Sequence, residues 1–154
     1  MAAQNGIIIV DTNIVFSALL NPNSKFTDIL LKPESRIEFY STTSLLSEIE
    51  SHKNKIKKIS GYTDSELQFL TRIITTRIKF FEPKLLPEET LLYAERICRS
   101  IDPNDSEFVA LTEHTNGLLW TGDKKLIKGL LKKGWDKFIS TEAVTILNYL
   151  GTRL

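Results

Sequence analysis

The sequence contains a single cysteine among 154 residues, Cys98, so no internal disulfide can form. Only His52 and His114 stand beside it, which excludes a Cys/His zinc cluster as well. Cys98 falls in a helical pattern and is expected to be a small core residue. Long apolar runs are also missing. Stretches such as Ile7–Val10 stop at four residues, far short of the ~20 that a membrane-spanning helix needs. The first residues lack the charged head and apolar stretch of a signal peptide, so a cytoplasmic protein with no membrane partner is expected. There is no repeat, no low-complexity tract and no linker rich in Gly, Pro or Ser. That absence predicts a single domain over residues 1–154, long enough to bury one core. Neither sign of charge dominates: the net charge is +1, which leaves a nucleic-acid partner open because an average hides clustering.

The lysines are in fact clustered. Lys53, Lys55, Lys57 and Lys58 form one group, and Lys124, Lys125, Lys128, Lys132, Lys133 and Lys137 form another. Around them, short apolar runs alternate with helical periods. Ile7-Ile8-Ile9-Val10 is β-branched throughout and predicts a central strand buried on both faces. Glu38 to Ser41, Phe80-Phe81, Leu118-Leu119-Trp120 and Phe138-Ile139 predict further strands. Between them, Ile14, Val15, Ala18 and Leu19, then Leu45, Leu46 and Ile49, recur at helical spacing. Thr42 or Thr43 could cap the second of these helices. Thr63 with Glu66 three residues on makes a capping box for the next, and these two helices are expected to pair as an arm. Pro87 suits a first helical residue, Asn116-Gly117 a helix stop, and Thr141 the cap of the last helix. Strands separated by helices imply βαβ units, hence an α/β fold with a parallel sheet and helices on both faces.

In such sheets ligands bind beyond the carboxyl ends of the strands. Asp11 directly follows the first strand, and Asp123 lies three residues beyond Trp120 at the end of another. Asp105 opens a helix in Asp102-Pro103-Asn104-Asp105-Ser106-Glu107, where Asp102 alone could cap and Asp105 would be free to reach the same cleft. Converging carboxylates repel one another and need a cation. All-oxygen ligation favours magnesium or manganese over zinc. The chemistry such a site supports is phosphodiester hydrolysis by an ion-activated water.

Ile9-Val10-Asp11-Thr12-Asn13, Leu45-Leu46-Ser47-Glu48, the stretch from Asp102 to Leu111, and Trp120-Thr121-Gly122-Asp123-Lys124-Lys125-Leu126, in that order, resemble a PIN domain over nearly the whole chain. The resemblance implies a three-layer α/β/α fold around a five-stranded parallel sheet with a helical arm. It also implies the activity of the related VapC-type toxins, which are magnesium- or manganese-dependent endoribonucleases. By position, Asp11, Glu48, Asp105 and Asp123 would be the catalytic, metal-holding acids, with Asn13 and Thr121 as supporting polar residues. Glu107 and Asp102 are extra acids beside the cluster that could tune it or bind a second ion, with cap and surface charge as the favoured reading of both. A cognate antitoxin and a homodimer are implied as partners, and RNA as substrate. Lysines flanking an acidic cleft are rewarded by counterion release from phosphates, which makes Lys53, Lys55, Lys124 and Lys125 candidate RNA contacts.

Two rival readings remain. In a haloacid-dehalogenase-like phosphatase a second Asp would stand two residues after the first, but Asn13 occupies that place, and Ile127 ends the would-be Gly-Asp-x-x-x-Asp signature. The other is a PIN fold kept as a non-catalytic RNA- or protein-binding module, which metal-dependent cleavage would separate from a nuclease.

Overall fold

Ile7–Val10 forms β1 of the computed structural model, which describes residues 6–33 and 35–153, with side chains described through residue 150. Residues 1–5, on which the expectation of no signal peptide falls, lie outside the described residues. Ile8, Ile9 and Val10 are fully buried, as a β-branched strand covered on both faces must be. β1 leads into α1 (Thr12–Leu20), α2 (Lys25–Leu31) and β2 (Glu38–Thr42). Three helices follow, α3 (Thr43–Ser51), α4 (Lys53–Ser60) and α5 (Asp64–Ile74), and then β3 (Ile78–Phe81). The second half holds α6 (Glu88–Cys98), a 3-10 turn at Pro103–Asp105, α7 (Ser106–Thr115), β4 (Leu118–Trp120), α8 (Lys124–Lys132) and α9 (Thr141–Arg153).

The four strands are parallel throughout, in the order β3-β2-β1-β4, so the strand predicted to be central has a neighbour on each side. Helices flank the sheet. α7 packs against β1, β2 and β4 and carries α6 on its outer side, while α1, α2, α5 and α9 form a second packed group. Trp120 on β4, fully buried, anchors that second group, with the rings of Phe39 and Phe26 lying 6.1 and 6.2 Å from it. Cys98 is fully buried in the same core, and burial pushes its thiol up to about 11, so it behaves as a small apolar residue.

Among the described residues the sheet has four strands where five were expected. The fifth is reduced to one bridge between Leu119 and Phe138, with Leu119 N donating to Lys137 O and Ile139 N to Leu119 O. The reason is local. Phe138 N turns back to Asp136 O, and α9 begins three residues after Phe138, leaving too little extended chain for a ladder. Two helix starts also differ from expectation. The cap of α9 is Ser140, whose Oγ accepts from Ala143 N, and Thr141 instead accepts the indole N–H of Trp120. Pro87 precedes α6 as its cap residue. The capping box at Thr63 is present in both directions, and the arm comprises three helices because the chain breaks at His52.

The turn into β4 is tight. Asn116 adopts the left-handed conformation that ends α7, and the next residue, Gly117, lies against β1. A Cβ there would stand 2.7 Å from the Ile7 carbonyl oxygen, and backbone cannot step aside cheaply. Gly117→Ala is therefore expected to cost about 1–3 kcal/mol, read as a lower midpoint in urea unfolding.

Candidate active site

The register of the sheet positions the site. Val10 faces Trp120 across β1 and β4, so the next residues, Asp11 and Thr121, emerge side by side at the carboxyl edge. Asp11 is 3% exposed. Its Oδ1 accepts from Thr12 N at 2.7 Å, capping α1, and its Oδ2 accepts from Thr121 Oγ1 at 2.6 Å and Asn13 Nδ2 at 3.1 Å. Thr121 Oγ1 in turn accepts from Asn13 Nδ2 and from Asp123 N at 3.0 Å. Asn13 Oδ1 accepts from Gly122 N. Asn13 and Thr121 thus lock the strand ends together and aim the Asp11 carboxylate.

Glu48 reaches this group from α3, where its Oε1 accepts from Thr12 Oγ1 at 3.0 Å. Glu50, two residues on, points to Lys53 at 2.8 Å. Asp123 caps α8 by accepting from Leu126 N. The 3-10 turn before α7 then brings in Asp105, whose carboxylate comes within 4.8 Å of those of Asp102 and Asp123. Two of the four acids singled out in the sequence, Asp105 and Asp123, thus stand together with Asp102, while Asp11 and Glu48 lie outside that group but near enough to act on the Asp105 carboxyl. The sequence favours Asp102 as a cap over an extra acid of the cluster, and its side chain does both: it accepts from Asn104 N and stands beside Asp105 and Asp123. The overlooked signal is its spacing of three from Asp105, which a 3-10 turn places on one side. Thr12 was also passed over, although it ties Glu48 to the residue after Asp11. Glu107 stays outside the group, bound to Ser44.

Electrostatics express the crowding. Burial pushes Asp11 up to about 6; hydrogen bonds from Thr121 and Thr12 oppose this, and Glu48 and Asp123 add to it. Asp105 is pushed up to about 8, first by burial and then by Asp11, Asp102, Asp123 and Glu48. Asp105 Oδ2 is buried without any hydrogen-bond partner. A buried carboxylate oxygen with no donor, among carboxylates that repel it, is costly unless a cation satisfies it. The donor set is all oxygen, which suits a hard divalent ion, so the residues present fit one.

The candidate lysines differ in their surroundings. Lys53 is tied to Glu50, whereas Lys55, Lys124 and Lys125 are exposed, the last two in the first turn of α8 directly after Asp123. Thr121→Val keeps the shape of the side chain but strands the donors on Asp123 N and Asn13 Nδ2. It should lower stability by about 1–3 kcal/mol in denaturant unfolding, with Thr121→Ser recovering most of the loss.

Known proteins place this geometry. The chain is similar to the uncharacterized protein MJ1680 of Methanocaldococcus jannaschii, with 29% identity over 125 residues that cover 78% of this chain and 72% of that one. A PIN-domain model matches residues 9–144, from the middle of β1 into α9 and across every acid described above. Members of that family are generally nucleases that use divalent metals, and an acid-lined carboxyl edge on a parallel sheet is consistent with that. The chain belongs to the PIN-domain family.

Proposed function

We propose that this chain is a metal-dependent endoribonuclease, with magnesium or manganese held by Asp11, Glu48, Asp105 and Asp123. The observation that carries the reading is Asp105 Oδ2, a buried acceptor without a donor inside a ring of acids. When bound, a divalent ion would supply a Lewis acid for the phosphoryl oxygen and acidify a water. Asp11 is held by three donors, so its oxygens keep one orientation. Glu48, fixed by Thr12, borders a cleft of about 560 Å³ shared with Ser47, His52 and Asn104, where substrate can approach. Lys124 and Lys125, directly after Asp123, would offer positive charge to an incoming phosphate backbone, as would Lys53 and Lys55 in the first turn of α4, which follows the helix carrying Glu48.

The resemblance to VapC-type toxins supports a place in a toxin–antitoxin pair, acting on cytoplasmic RNA as a homodimer that a cognate antitoxin covers. Cleavage of labelled single-stranded and structured RNA by purified protein, in EDTA, magnesium or manganese, tests the activity. Metal-dependent cleavage is expected, and its absence with every metal and RNA would overturn the reading. Magnesium should also raise the melting temperature by about 5–10 °C at a hundredfold excess over its dissociation constant. Asp11→Asn protein should gain much less, and an equal shift would mean that the ion binds elsewhere.

A further inference from the structure

Beside Asp123, and sharing no lining residue with the Glu48 cleft, lies a second cavity of about 430 Å³ that the chemistry above does not use. Its edge is Asp123, its apolar walls are Ile14 and Phe26, and its polar rim includes Ser17 and Thr141. The volume falls within the range of small-ligand pockets, and the combination of apolar walls with a few fixed polar groups is what such pockets have in common. We propose that this cavity is a nucleobase subsite, holding the base next to the scissile phosphate while that phosphate sits at the carboxylates. This inference rests on the ribonuclease reading and extends it to how the substrate is gripped.

Three observations lead there. First, position: a base is joined to its phosphate through one ribose, and the cavity begins at Asp123, so a phosphate at the acids brings an adjacent base to this opening. Second, the aromatic wall. Phe26 is only partly buried and is braced from below by Trp120 at 6.2 Å, so its orientation is set by the core before any ligand arrives. A pre-set ring is a stacking platform for any base. The Lys25 ammonium sits over the same ring, 5.7 Å from its centroid, so a base stacking on that face takes the place of an exposed lysine that is then free to turn to a phosphate.

Third, the hydrogen-bonding capacity of the rim. Asn13 spends both amide hydrogens on Asp11 and Thr121, so it positions the acids and has none for a ligand. The Ser17 hydroxyl donates to Asn13 O at 2.9 Å and keeps its lone pairs to accept. Thr141 Oγ1 accepts from Trp120 Nε1 at 2.9 Å and keeps its hydrogen to donate. The rim therefore offers one acceptor and one donor, and each RNA base presents a donor beside an acceptor on its pairing edge.

The test uses an RNA oligonucleotide whose cleavage position is first mapped with wild-type protein and magnesium. Each nucleotide in turn is then replaced by an abasic one, and binding is read from the protein-concentration dependence of single-turnover cleavage of each RNA in magnesium. Removing the base at one position flanking the scissile bond should weaken binding about tenfold. Introducing Phe26→Ala, or Ser17→Leu, which fills the cavity without touching Trp120, should weaken intact RNA by a similar factor and abolish the further abasic penalty. Circular dichroism confirms that each variant is folded, and Ser17→Leu carries the test if Phe26→Ala is not. A flat abasic scan, or a penalty that persists undiminished in the folded variants, overturns the subsite while leaving the ribonuclease reading intact. Wild-type protein that cleaves no RNA with any metal overturns both.

Discussion

Asp11→Asn is expected to reduce metal-dependent RNA cleavage by two orders of magnitude or more while leaving the fold intact. Loss of an outer partner of a metal ligand already costs ten- to a hundredfold in such sites, and Asp11 is placed to be a ligand itself. The substitution retains the side-chain shape and one acceptor oxygen, so the bond from Thr12 N or that from Thr121 Oγ1 can survive. What it removes is a buried negative charge facing Glu48, Asp105 and Asp123. In metal-free buffer the variant should therefore be at least as stable as wild type, in contrast to the usual cost of altering a buried polar residue. Parallel single-turnover cleavage and urea unfolding check both halves. A folded variant with full activity would remove Asp11 from the catalytic group.

The second large effect is a stability that falls as pH rises. Asp11 has its native pKa raised from 3.8 to about 6, and Asp105 from 3.8 to about 8. Between the unfolded and folded values the native state binds more protons than the unfolded one, so the slope of stability against pH is negative. Below about pH 4 both groups are protonated in either state and contribute nothing. Above about pH 6 the ionised Asp11 costs the fold of the order of 3 kcal/mol, and Asp105 acts in the same direction up to about pH 8. Metal-free protein should thus melt at a higher temperature near pH 5 than near pH 8, the reverse of a protein whose carboxylates are salt-bridged. Magnesium should invert the trend, because it competes with protons for the same oxygens. Asp11→Asn should flatten the metal-free slope, and a slope identical in wild type and variant would show that the repulsion lies elsewhere.

Where local chemistry and tertiary packing demand the same thing, the chain can be read directly. Ile7–Val10 suits no environment but a strand buried on both faces, and the acid behind it necessarily emerges at the carboxyl edge. Thr63 and Glu66 satisfy each other's backbone, so that helix start is decided within four residues. What could not be read depends on competition between distant groups. Thr141 would cap α9 but for the indole of Trp120, 21 residues away, which claims its hydroxyl and leaves the cap to Ser140. The missing fifth strand follows from where α9 begins, and the break at His52 falls in the polar stretch from Glu50 to Lys55, with no Pro or Gly to mark it. Asp102 could be identified as a cap; that the same carboxylate also stands beside Asp123 depends on how the 3-10 turn, packed on α6 and α7, meets the start of α8.

The strand order has a consequence for how the chain is made. β1 lies between β2 and β4, so Asp11 acquires its shortest hydrogen bond from Thr121, 110 residues later. At ordinary translation rates about 5–20 s separate the emergence of the two from a ribosome. Throughout that interval the first strand lacks one neighbour and the carboxylates cannot assemble. The growing polypeptide would thus carry an unfinished cleft, completed only once Thr121 and Asp123 have emerged to join Asp11.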